Sequence, residues 1–406
     1  MFFKLTVRDV PLDNQTVLVR TDYNVPLTSN GDISDDLRIR SSLSTINYLL
    51  ERGCRVVIIS HLGRPKGHDK SLTLEPIAQH LAHLLKRDVR FVDDCIGDKV
   101  YQAIKHAPSG SVTVLENLRF YKQEEEDSQE FAEKIAKATC AHYFVQDGFG
   151  VVHRSHASTH AITSFIPSLA GLLLEREYET INSAMDSPKH PFVAVIGGAK
   201  VKDKIPLIER FIKIADRIII GGSLANTFLA KRGLSVGKSN VETEEYEAID
   251  HIYSAAKKKV GSEVGKFIIL PSDLAVGSSL TAKTDRHVVE LNEVEGKDYV
   301  LDIGDRTIDK IAYIISNAGT VIWNGTLGYA ELPAFAHGSA RLALALAEQP
   351  RITSIIGGGD TTDFVLKWDG HGGKSFTHVS TGGGASLELM AGNKLPGVES
   401  LLDARS

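Results

Sequence analysis

Nine short runs of β-branched and other apolar residues punctuate the chain, at positions 17–20, 55–60, 112–115, 142–145, 192–196, 217–220, 266–270, 321–323 and 354–356. Within them the apolar residues are consecutive rather than alternating, the pattern of strands covered on both faces in a parallel sheet. Amphipathic stretches of helical period lie between most of them, among them 41–52, 76–87, 129–140 and 205–215. Strand and helix alternating over this length predict an α/β fold. The pattern breaks at Ile166-Pro167-Ser168-Leu169-Ala170-Gly171, followed by a helical stretch and then by Asp186-Ser187-Pro188. The expected architecture is two Rossmann-like three-layer α/β/α domains with mainly parallel sheets, 1–170 and 188–390, joined by a hinge helix over 171–187. No internal repeat changes that picture.

The residues just after the apolar runs carry chemistry. They are Asp22 and Asn24, His61 to Arg64, Glu116 to Arg119, Asp147 to Arg154, Gly197 to Lys200, Gly221-Gly222, Asn324 to Gly328, and Gly357 to Asp360. In an open parallel sheet, ligands bind beyond the carboxyl ends of the strands. The first half places Arg, His, Asp and Asn there; the second places Gly-Gly pairs, Lys and Asp.

Composition narrows the classes. The 406 residues include 46 Lys+Arg against 51 Asp+Glu, a net charge of −5, and nucleic-acid binding would need a basic face instead. Cys54, Cys95 and Cys140 are far apart and form no C-x-x-C, which argues against a disulfide framework and a Cys-rich zinc site. No apolar run has the length of a membrane span, and Met1-Phe2-Phe3-Lys4 does not open a signal peptide. A cytoplasmic chain without membrane or nucleic-acid partner is expected.

Two constellations follow. His61-Leu62-Gly63-Arg64-Pro65-Lys66-Gly67, Arg119 and His153-Arg154-Ser155-His156 cluster cations at the strand ends of one half, a pocket for a small, highly charged anion. His153, His156 and His160 lack Cys or Glu partners at metal-ligand spacing. In the other half Gly197-Gly198-Ala199-Lys200, Gly357-Gly358-Gly359-Asp360-Thr361 and Gly382-Gly383-Gly384 lie at strand ends, the latter two opening helices. Such loops cradle phosphate, and three of them with a Lys and an Asp embedded point to a nucleotide and its metal. Gly233 to Ser239 resembles a P-loop, but the glycine it needs at 232 is Arg. The dinucleotide and protein-kinase motifs are absent, which counts against a nicotinamide-dependent dehydrogenase.

Over essentially its full length the chain resembles the phosphoglycerate kinase family. The resemblance rests on Arg20-Thr21-Asp22-Tyr23-Asn24-Val25-Pro26, Asp36-Leu37-Arg38-Ile39, Ser60 to Pro65, Glu116 to Phe120, Asp147 to Thr159, Gly197 to Ile205, Trp323-Asn324-Gly325, Gly357 to Thr361 and Thr377 to Leu389. It implies Mg-dependent, reversible phosphoryl transfer between ATP and the carboxylate of 3-phosphoglycerate, a glycolytic reaction, by a monomer that closes its two domains. Asp22, Asn24, His61, Arg64, Arg119 and Arg154 would hold phosphoglycerate. Arg38 and Lys200, with the Gly382 and Gly383 amides, would serve the transferring group. The nucleotide set is Gly198, Ala199, Lys200, Lys204, Gly221, Asn324, Glu331, Gly357, Gly358, Gly359, Asp360 and Thr361, with Asp360 as the Mg²⁺ ligand. A tail of about 391–406 would pack back on the first domain. The chain departs from the family's usual pattern at Gln146, Gly148, Val151-Val152, Thr326 and Asp305. A non-catalytic two-lobed anion-binding protein is the alternative.

Overall fold

The computed structural model describes residues 2–281 and 283–404. The chain divides into two compact units, Met1–Glu179 with Asn393–Ser406, and Thr180–Gly392. The helix Leu172–Asp186 therefore belongs partly to each.

In the first unit β1 (Thr16–Arg20), β2 (Arg55–Ile59), β3 (Val89–Val92), β4 (Val112–Leu115), β5 (Tyr143–Gln146) and β6 (Ser168–Ala170) form one parallel sheet, ordered β3-β4-β2-β1-β5-β6. Successive strand residues feed opposite faces. Val17, Val19, Val56 and Ile58 pack with Ile39, Ile46 and Leu49 of the helix Leu37–Glu51. Leu18, Val57 and Ile59 pack on the other side with Phe131 and Ile135 of the helix Gln129–Thr139. That second helix starts where Ser128 Oγ accepts from Phe131 N (3.3 Å) and stops at Cys140 in the left-handed region. The chain leaves β1 for β2 on one side and returns beside β1 only as β5, so the connections diverge at its carboxyl end, where a binding crevice opens.

In the second unit β7 (Phe192–Ile196), β8 (Arg217–Ile220) and β9 (Ile268–Ile269) precede an antiparallel trio, β10 (Asp273–Gly277), β11 (His287–Glu290) and β12 (Tyr299–Ile303). Then come β13 (Thr320–Asn324), β14 (Thr353–Gly357) and β15 (His378–Val379), and the parallel sheet reads β15-β14-β13-β7-β8-β9. Its order reverses between β7 and β13. The pairing of β10 with β12 slips past Leu301, a β-bulge.

Within the segment 166–171, where the sequence predicts the end of the first domain, Ser168–Ala170 forms edge strand β6, hydrogen-bonded to β5. Residues after the second unit rejoin the first: Leu5 N donates to Leu402 O at 2.8 Å, Gly397 N to Val152 O at 2.9 Å, and Lys4 Nζ pairs with Asp403 at 2.6 Å. The three cysteines are free thiols, Cys54 and Cys95 buried and Cys140 exposed. Among the described residues no helix is long and apolar enough to cross a membrane.

Candidate active site

The first unit gathers cations at the carboxyl ends of β1, β2, β4 and β5. Arg38 stands in the first turn of the helix Leu37–Glu51, at its positive end, where a cation is unfavourable and needs acceptors. Its Nη1 donates to Asp22 Oδ2 and to Asn24 O, each at 3.0 Å. Asn24 Oδ1 accepts from Gly63 N (2.8 Å), which pins the loop after β2. Arg119 Nη1 donates to the carbonyl of that same Gly63 (2.8 Å), and its Nε lies 3.1 Å from Glu125. Arg64 and Arg154 are exposed, and no carboxylate of the described residues pairs with either. His61 is buried 4.0 Å from Asp22.

These groups repel one another. Burial, then Arg20, Arg119 and Arg38, hold His61 well below the ordinary imidazole range. Burial, Arg20, Arg119 and Arg154 push His156 down to about 4. Both imidazoles are neutral at pH 7, and of the arginines around them Arg154 has no carboxylate partner among the described residues.

Beneath this surface lies a pair that the strand-end pattern left unassigned. Arg20, 1% exposed, donates from Nε to Ser158 Oγ (2.7 Å), from Nη1 to Thr21 O, and sets Nη2 3.6 Å from Glu124 and 3.3 Å from His61 Nδ1. Glu124, fully buried, accepts from Ser158 N (3.0 Å) and Oγ (2.6 Å). Arg20 thereby fixes His61 from below. Asn117 works similarly on the loop above, donating to Leu62 O (2.8 Å) and Leu72 O (2.9 Å). An Arg closing an apolar strand was the available signal for the buried pair; Glu124 sits in a run of acids that reads as solvated.

In the second unit the loops after β7, β8 and β13 interlock through their backbones at the reversal point. Gly198 N donates to Thr326 O (3.0 Å), Gly222 N to Leu327 O (2.9 Å) and Leu224 N to Gly198 O (3.0 Å). A Cβ at Gly197 would lie 2.1 Å from Thr326 O, so only glycine permits this approach. The loops bound a cavity of about 430 Å³, lined by Gly198, Ala199, Gly222, Leu274, Leu280, Tyr299, Leu301, Asp302, Leu327, Tyr329, Glu331 and Asp360 among others.

Beside it Lys204 Nζ donates to Asn324 Oδ1, and Asn324 Nδ2 donates to Gly357 O at 2.8 Å. Burial lowers the Lys204 ammonium, with Asp203 and Asp360 opposing. Thr361 Oγ1 accepts from Gly325 N (2.7 Å), and Gly358 takes φ +94° where a Cβ would meet Asn324 at 2.8 Å. Lys200 is exposed. Gly382 N is engaged by Ser380 Oγ at 3.0 Å. The Gly383 and Gly384 amides, at the start of the helix Gly384–Ala391, have no acceptor among the described residues. Of the two amides expected at the transferring group, Gly382 is thus committed internally and Gly383 is open.

Comparison with known proteins decides the family. The family model "Phosphoglycerate kinase" matches residues 7–393. The chain is 43% identical over 399 residues to the phosphoglycerate kinase of Dictyoglomus turgidum, covering 98% of each, and 45% identical over 401 residues to that of Moorella thermoacetica, covering 98% of this chain and 99% of the relative. The solved phosphoglycerate kinase of Coxiella burnetii superposes with a TM-score of 0.83 at 35% identity, covering 98% of each chain. The chain belongs to the phosphoglycerate kinase family.

Seen as a phosphoglycerate kinase family member, its departures have local accounts. Asp305, where the family commonly has Pro, begins the helix Asp305–Ser316 and pairs with Arg286 at 2.7 Å, a favourable place for an acid. Thr326, also a common Pro position, donates from Oγ1 to Gly328 O (2.9 Å) and so stiffens the cavity loop by another route. Val152 packs against Gly397, whose Cβ would lie 3.0 Å from Val152 Cα.

The residues present fit a divalent cation held chiefly by nucleotide phosphates. Asp360 is an exposed hard carboxylate in the first turn of the helix Gly359–Asp369, without hydrogen bond or ion pair among the described residues. No group of three or more His, Cys, Asp or Glu among the described residues forms a ready-made cage.

Proposed function

We propose that the chain transfers a phosphoryl group reversibly between ATP and the carboxylate of 3-phosphoglycerate, giving ADP and 1,3-bisphosphoglycerate, as one glycolytic chain acting alone. The observation that carries this is the pairing of a cation cluster short of carboxylates with a glycine-walled cavity, in a chain matched to the family over residues 7–393. A non-catalytic anion binder would give that cavity no occupant, and nothing in the comparisons favours one.

Arg64, Arg119, Arg154 and His61 would clamp the distal phosphate, while Asp22 and Asn24 orient the rest of phosphoglycerate. Its carboxylate is ionised at pH 7 and attacks without a general base. Neutral His61 and His156 suit that chemistry, since they need only position. A carboxylate oxygen bonds to the γ-phosphorus as the bond to the ADP oxygen breaks, and the charge on the three equatorial oxygens needs neutralising in place. Arg38, Lys200 and the Gly383 and Gly384 amides would do this. Lys204 and Asn324, with the 357–361 loop, would hold the remaining nucleotide phosphates. Mg²⁺, held by Asp360, supplies further charge neutralisation there when bound. Because the two sets of groups belong to different units, transfer requires them to meet with water excluded.

A coupled assay for ADP formation tests this. ADP should form from ATP only when 3-phosphoglycerate and Mg²⁺ are both present. ADP release at the same rate without phosphoglycerate, or none with it, would refute the assignment.

A further inference from the structure

The cavity of the second unit has a buried carboxylate in its wall that the transfer reaction leaves without a task. Asp302 is 3% exposed and lines the cavity. Its Oδ2 accepts from Gly338 N and its Oδ1 from Ile303 N, both at 2.9 Å. Gly338 is the second residue of the helix His337–Ala347, so the carboxylate meets that helix at its positive end. A Cβ at Gly328 would lie 2.4 Å from Asp302 Oδ1, so the loop after β13 presses on the same group.

Two further bonds tie that loop to the same place. Tyr329 N donates at 2.6 Å to the carbonyl of Leu301, the residue skipped by the bulge in β12. Leu327 N donates to Ser339 Oγ at 2.9 Å. Strand β12, the loop and the helix start therefore converge on one carboxylate, and Leu327, Gly328, Tyr329 and Glu331 form the cavity wall it supports. Burial pushes Asp302 up to about 7, so its backbone donors matter to the charged form.

We propose that Asp302 is a positioning residue for the nucleotide: it sets the 327–331 wall of the cavity, so that nucleotide affinity depends on it and phosphoglycerate affinity does not. This rests on the assignment of the nucleotide to that cavity. Asp302→Asn keeps the shape but has one oxygen for two N–H donors, and its NH₂ must face the other. The wall should shift.

The test measures kcat, both KM values and MgADP binding by titration calorimetry, with tryptophan emission reporting that the second unit is folded. Asp302→Asn should weaken MgADP binding and raise the ATP KM roughly tenfold, the scale of one charge-assisted hydrogen bond. The phosphoglycerate KM should stay at the parent value and kcat within about threefold of it. Should Asp302→Asn fail to fold, Gly328→Ala leaves the carboxylate and both donors in place and pushes the loop directly; the same split is expected. A folded variant that binds MgADP like the parent, or that loses affinity for both substrates equally, overturns the proposal. A parent chain that forms no ADP sinks the functional reading and this proposal with it; an active parent beside unchanged variants sinks the proposal alone.

Discussion

Glu124→Gln should unfold the first unit early, and the reason lies in charge counting below the strand-end cation cluster. Arg20 and Glu124 are 1% and 0% exposed, and burial pushes the carboxyl up and the guanidinium down from their ordinary values. The pair is therefore held at a solvation cost, and removing one member leaves the other charge bare. Around Arg20 stand Asp22, which is already paired with Arg38, then Arg119 and the neutral imidazole of His61, none of which replaces the lost anion. Gln keeps the volume, but its single oxygen must serve both Ser158 donors while its NH₂ turns toward the guanidinium. Breaking a buried pair in this way costs about 3–5 kcal/mol. Urea denaturation with two probes isolates the effect. The chain's 2 tryptophans, Trp323 and Trp368, both lie in the second unit, so their emission follows that unit, while far-UV circular dichroism follows both. The variant should show an early dichroism transition that tryptophan emission does not share. Replacing both partners by apolar residues, Arg20→Met with Glu124→Leu, should recover much of the loss. An unchanged dichroism midpoint in Glu124→Gln would refute the reasoning.

Three other outcomes are expected. Arg38→Ala should lower kcat by roughly 10²–10³ with little change in phosphoglycerate binding, whereas Arg64→Ala should mainly raise the phosphoglycerate KM; steady-state kinetics with binding titrations would expose a reversed pattern. Asp360→Asn should raise the Mg²⁺ concentration giving half-maximal rate, and an unaltered Mg²⁺ curve would place the ligand elsewhere. Burial holds Asp147 up at about 7, against roughly 4 in an unfolded chain, so between those values the native state keeps a proton that the unfolded state has lost. Its contribution to stability therefore falls by about 4 kcal/mol as pH rises from 4 to 7. Asp147→Asn should remove that slope in denaturation curves taken across the range, and a constant wild-type-minus-variant difference would contradict it.

Strands buried on both faces were legible because nothing polar interrupts them: β1, β7 and β13 are buried at every position. Six of the described strands escaped notice, and five of them, β3, β6, β11, β12 and β15, are sheet edges; β10, central in the antiparallel trio and buried at all five positions, escaped as well. β3 alternates in exposure, β11 has no fully buried residue, and β6 and β15 have three and two residues. β3 and β11 bury too little to leave an apolar run, β6 and β15 are too short to show one, and β10 has only Leu274-Ala275-Val276 between Asp273 and Gly277. Charged residues at strand ends stood out for the same reason in reverse, since polar groups after an apolar run need an explanation. Glu124 and Asp302 did not stand out, and Asp147 stood out only as a strand-end residue, because a buried acid and a solvated one look alike until their donors are located. The bulge at Leu301 and the internal engagement of the Gly382 amide are properties of backbone pairing, on which side-chain patterns are silent.

The return of residues 393–404 to the first unit has a consequence for how the molecule is made. Leu402 hydrogen-bonds to Leu5, and Gly397 packs on Val152, yet the whole of 180–392 lies between these segments in the chain. A ribosome delivers residues in order, and domains usually mature as they emerge. Here the unit begun first is completed last. The second unit can fold while the first still lacks its final segment, and a released chain ending near residue 392 would carry a complete second unit beside a first unit with an open edge. Such a truncated chain should show protease sensitivity confined to the amino-terminal half, which the full chain does not share.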